Sequence, residues 1–242
     1  WMLSALWAGW IWGREAVQPM RSVLERKHFD WYWQTGAFHG ALNAVAHHLD
    51  PDVPWFGVIP EVTSGVLLSS LTAAHCSGLE LTGSALDGEE DVIQLSWKAA
   101  RSAQPTSRKP DVIYRQAVRD ALVQSGEPAS YLQLYTACLT AQVHQNSLPG
   151  EIDAVQVDLF SRVQAQLSTV FGDRNTLIHF AGLSHSGESG YWWLTGKSET
   201  EIPLADRVEM ETVRILQKNP GCQFSEMYDA LCKQFQGLLT PS

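Results

Sequence analysis

The chain has 242 residues, 45% apolar and 18% charged, with a formal net charge of −9. That balance is globular and fits one or two domains; it excludes a disordered chain and a broad electrostatic grip on nucleic acid. The four cysteines, Cys76, Cys138, Cys222 and Cys232, form no C-x-x-C pair, which argues against a disulfide scaffold or zinc site and for reduced thiols in a cytoplasm.

The opening WMLSALWAGWIWG is apolar for about a dozen residues, short of the roughly 20 that cross a bilayer. It lacks the basic start and the cleavage site of a signal peptide. It therefore reads as a buried helix whose partner lies upstream in the same polypeptide, with no membrane span. Residues 37–49 place Phe38, Leu42, Val45, Ala46 and Leu49 at helical spacing, and Asp50-Pro51-Asp52 stops that helix. Residues 55–59, WFGVI, are a continuous apolar run suited to a parallel strand covered on both faces.

A second helix starts with Thr63 or Ser64 as its cap and ends at Gly78. Residues 79–86 and 92–97 then read as an antiparallel hairpin around the acidic turn Asp87-Gly88-Glu89-Glu90-Asp91. Residues 100–110 are a polar linker with Arg101, Arg108 and Lys109.

From there the pattern is helical: residues 111–124, 131–143 and about 153–171, followed by strands at 176–181 and 191–194. Three helices and a β-hairpin wing are the parts of a winged helix, a helix-turn-helix variant, placed at 111–198. A second such unit starts at Pro203, with helices to Lys218 and over 224–235. Its third helix would begin in Gly237–Ser242. On this reading the chain is the back half of something longer.

The segments LWAGWIWGREAV, FDWYWQTGAFHGAL, PLADRVEMETVRIL and FQGLLTPS resemble the C-terminal regions of bacterial DNA methylases. The resemblance implies that residues 1–99 are the closing part of a class I methyltransferase-like α/β sheet, followed by winged-helix and helix-turn-helix segments. It also implies that the parent protein uses S-adenosylmethionine. The glycine-rich cofactor motif and the D-P-P-type catalytic motif of that family lie ahead of a segment like LWAGWIWGRE, and neither occurs here. No catalytic, cofactor-binding or metal residue carries over, and the chain alone is expected to be inactive and to hold no cofactor.

Other chemistry is weaker. His47 and His48 are adjacent on a helix and point roughly 100° apart, so they do not chelate together. Ser184-His185-Ser186 and Gly187-Glu188-Ser189-Gly190 sit between two strands, whereas a nucleophile elbow joins a strand to a helix. The carboxylates of 87–91 suit a solvated turn. Trp31, Tyr32 and Trp33 could stack a flipped base, although clustered tryptophans more often pack a core.

Contact with duplex DNA would come from the third helix and the wing. The candidates are Arg108, Lys109, Arg162, Arg174 and Lys197 on phosphates, and Gln164 and Gln166 on base edges. So few cations imply weak binding. The alternative is a non-enzymatic adaptor that uses its winged helices for protein–protein assembly.

Overall fold

A computed structural model describes residues 2–20, 30–46, 48, 50, 53–87, 90–99, 108–182, 188–196 and 202–235. Helix α1 spans Met2–Trp12 and is followed by a 3-10 turn at Arg14–Met20. A Cβ on Gly9 would lie 2.9 Å from Val17, so the turn folds directly onto the helix. Within this chain α1 is covered on one side only. Ala5 and Ala8 are buried, whereas Leu6, Trp7, Trp10, Ile11 and Trp12 face solvent, because the turn covers only the small-residue side.

Helix α2, Trp31–Ala46, begins earlier than its apolar spacing predicts. The reason is local: Asp30 Oδ1 accepts the Trp33 N–H at 2.6 Å and caps the first turn. Strand β1, Trp55–Ile59, leads to helix α3, Ser64–Cys76, whose cap is Thr63: its hydroxyl accepts the Val66 N–H at 3.4 Å. Strands β2, Leu79–Asp87, and β3, Val92–Ala99, form the expected hairpin, with a bulge between Leu81 and Gly83. In its turn, the Asp87 carboxylate accepts the Glu90 N–H at 3.2 Å.

The strand order is β1-β3-β2, and β3 is antiparallel to both neighbours. This corrects the expectation that β1 is a parallel strand covered on both faces. β1 and β2 do run in the same direction, but β3 returns between them and takes the hydrogen bonds of each. The burial of β1 alternates, with Phe56 and Val58 71% and 61% exposed. An antiparallel sheet needs cover on one face only, and an apolar run cannot report which face that is.

Helix α4, Pro110–Ser125, has proline in its first turn and ends at Gly126, whose φ of 70° is left-handed. Strand β4, Ala129–Ser130, passes into helix α5, Tyr131–His144, through a capping box between Ser130 and Gln133. The third predicted helix is shorter than expected. A 3-10 turn at Ile152–Ala154 breaks away into extended backbone at Val155, and helix α6 runs over Leu159–Phe171. Burying Val155 in the core takes precedence over continuing the helix. α6 itself is amphipathic, with Leu159, Val163, Leu167 and Val170 on its buried side.

Strands β5, Leu177–Phe180, and β6, Tyr191–Leu194, complete a second sheet of order β4-β6-β5, again antiparallel throughout. β5 stops one residue short of the expected end, because Ala181 takes a φ of 56°. Helices α7, Leu204–Lys218, and α8, Phe224–Gln234, pack on each other, and Arg207 donates to the Gln124 carbonyl of α4. The expected third helix at 237–242 lies outside the described residues.

One hydrophobic cluster extends from Leu67, Leu71, Ile93 and Leu95 through Leu134, Leu139 and Leu167 to Leu177 and Trp192. Polar and aromatic contacts cross the same seam. Tyr135 Oη donates to the Ser64 carbonyl at 3.0 Å, and the rings of Trp31 and Phe160 stack 6.0 Å apart.

Two titratable groups give this fold a directional pH response. Burial of His75 in α3 disfavours its imidazolium and moves its pKa below the ordinary 6.5. The unfolded chain then takes up that proton at higher pH than the folded one. This contribution to stability is full above about pH 6.5 and falls as the pH drops toward the folded value. Asp173 acts in a lower window: its hydrogen bond from Arg115 holds the carboxyl below 3.8, so its contribution is present above that value and lost further into acid. Melting temperatures between pH 5 and 7.5 should therefore fall toward pH 5. His75→Gln should flatten that slope, and an unchanged slope would refute the assignment.

Candidate nucleic-acid interface

The third helix of the C-terminal portion, α6, lies beside the β5–β6 hairpin, and a groove of about 840 Å³ runs between them. Gln164 and Ser168 from α6, Arg174 from the connection, and His179, Glu188 and Trp192 from the hairpin line it. Trp192 forms the floor. Its ring lies 5.6 Å from Phe171, 6.1 Å from Tyr131, and is stacked on His179 at 4.1 Å. Across the hairpin, His179 Nε2 sits 2.7 Å from the Ser189 carbonyl, which can only accept, so this nitrogen carries the proton. The two strand ends approach closely enough to require glycine. A Cβ on Gly182 would lie 2.6 Å from both the His179 ring and the Ser189 carbonyl, and Gly190 has a φ of 86°.

The side chains on the open face of α6 are largely engaged within the protein. Gln164 Nε2 donates to Tyr131 Oη at 3.3 Å and to Glu188 Oε1 at 3.4 Å. Burial, opposed by the Gln164 hydrogen bond, pushes the Tyr131 phenol up to about 12, so it stays neutral. The hydroxyls of Ser161, Ser168 and Thr169 donate back to helix or cap carbonyls. Arg162 donates to Gln156 Oε1 at 3.1 Å and lies 3.6 Å from the Asp158 carboxylate.

The structure thus brings Gln164 and Arg174 together in one groove. Arg162 is exposed on α6 but is not among the groove-lining residues, and Gln166 is half-buried. Arg108 and Lys109 are exposed at the start of α4. Lys197 and residues 183–187, expected as the wing tip, lie outside the described residues. Trp31, weighed above as a base-stacking ring, is occupied by packing against Phe160 and over Gly65.

Sequence reasoning missed four polar groups. His179 and Glu188 read as strand and loop residues, and nothing local marks them as facing α6. Arg115 and Arg119 carried a legible signal, an i, i+4 pair on a predicted helix. They line a second hollow of about 450 Å³ with Asn175, Thr176 and Thr195, where Arg115 pairs with Asp173.

Among the described residues, no group of three or more His, Cys, Asp or Glu side chains is placed to hold a metal ion. No described helix is long and apolar enough to cross a membrane. Among the described residues, the turn from β1 into α3 does not fit S-adenosylmethionine. The β1–α3 connection, Pro60 to Thr63, has no glycine-rich turn, and the Trp31 indole covers Gly65 in the first turn of α3. Comparison of the chain with protein-family models, with curated proteins and with solved structures finds no match.

Proposed function

We propose that residues 111–198 are a winged helix that positions duplex DNA for a methyltransferase-like polypeptide, while this chain supplies no catalytic or cofactor group. One observation carries the reading: the order helix, strand, helix, helix, hairpin, with strand order β4-β6-β5, sets the third helix beside the wing. The β1–α3–β2 crossover, with β3 returning between its strands, supports reading residues 1–99 as the end of a class I methyltransferase sheet. The exposed Leu6, Trp7 and Trp10 of α1 are the surface we assign to the upstream part of the same polypeptide.

Binding is weak on this reading, because few cations surround the third helix. If three or four of Arg108, Lys109, Arg162, Arg174 and Lys197 meet phosphates, log K against log salt has a slope of about −3 to −4. Arg174→Ala should remove about one unit of slope. Adding Arg162→Ala should remove about one more, since the exposed Asp158 carboxylate yields to phosphate. A salt titration of duplex binding on the three proteins decides it.

No binding at low salt would favour protein–protein assembly instead. That second reading has its own support in the internally engaged polar groups of α6 and in the exposed Ile178, Phe180 and Tyr191 of the hairpin.

A further inference from the structure

We infer that Glu188 masks the base-reading side chain of α6, so that the groove engages DNA only after Gln164 is released from the wing. The inference rests on the DNA reading of this groove and adds a residue that controls it.

Gln164 is the amide on α6 that faces the hairpin, and an amide reads adenine by donating from nitrogen and accepting on oxygen. Here its nitrogen is committed twice, to Tyr131 Oη at 3.3 Å and to Glu188 Oε1 at 3.4 Å. Both bonds are long for their type and sit at an open groove, which makes them exchangeable. The Tyr131 phenol is anchored among Tyr135, Phe171 and Trp192, so it cannot follow the amide outward. Glu188 lies in the hairpin two residues before Gly190 and is exposed.

Glu188 also sets the charge of the groove. Among the described residues its lining holds one arginine, Arg174, and one carboxylate, Glu188. A phosphate entering beside Arg174 therefore meets a like charge in the same groove. Glu188 thus acts in two separable ways, by occupying Gln164 and by repelling phosphate.

The test is a double-mutant cycle on duplex affinity with the full chain, at fixed low salt. Glu188→Gln keeps the hydrogen-bond acceptor and removes the charge, and should tighten binding by about threefold. Glu188→Ala removes both, and should tighten it by about tenfold. In the wild type, Gln164→Ala should change affinity by less than about twofold, because the amide is masked. In the Glu188→Ala background it should weaken binding by about fivefold or more, as expected for a base-edge contact. Both sites are exposed, so thermal melts should stay within a few degrees of the wild type and separate these effects from unfolding.

An equal effect of Gln164→Ala in both backgrounds, or no tightening on Glu188→Ala while the wild type binds, overturns the masking inference alone. Failure of every form to bind duplex DNA overturns the DNA reading and the inference with it.

Discussion

Trp192→Ala is expected to destabilise the chain by about 3–5 kcal/mol, the range for removing a buried aromatic side chain. Trp192 is 2% exposed and touches every part of the C-terminal portion that the site needs. It sits on β6, whose ladder joins β4 to β5, and its ring meets Tyr131 of α5, Phe171 of α6 and His179 of β5. Alanine would leave a cavity that several rigid rings cannot close together. Trp192→Phe keeps an aromatic surface and should cost less than half as much. Urea unfolding of the three proteins gives the comparison. A loss under about 1 kcal/mol for alanine would mean that the hairpin is not held by this floor.

Leu71→Ala is the second large effect, at about 2–5 kcal/mol. Leu71 is 1% exposed in α3, within the first ninety-nine residues, yet it belongs to the cluster that includes Leu134, Leu139 and Leu167. If the two portions fold on a common core, the variant should lower one cooperative transition seen equally by far-UV circular dichroism and by tryptophan emission. Separate midpoints, with the C-terminal portion unmoved, would show two independent folding units on either side of residues 100–110.

Much of the architecture was readable because its causes are local. Thr63 caps a helix through its own hydroxyl, and Gly78, with a φ of 72°, follows that helix's end. The residues 79–97 alternate around an acidic turn and form the hairpin. The candidate site was readable in part. Arg174 and Gln164 do meet in one groove, whereas Glu188, which holds Gln164, lies 24 residues further along the chain and carries no pattern that announces it.

The sequence by itself determined most of the helices and the 79–97 hairpin, because capping, proline and apolar period act within a few residues. It also determined the scarcity of cations near the third helix. Three matters were left to tertiary structure: which strand lies beside β1, whether the apolar run after Asp153 continues as a helix, and which polar groups on α6 remain open to a ligand. Each depends on residues distant in sequence. β3 inserts itself between β1 and β2, Val155 leaves the helix to enter the core, and a carboxylate on the β5–β6 hairpin takes the amide of Gln164. Local periodicity carries no term for such competition, which packing and hydrogen-bond satisfaction across the chain decide.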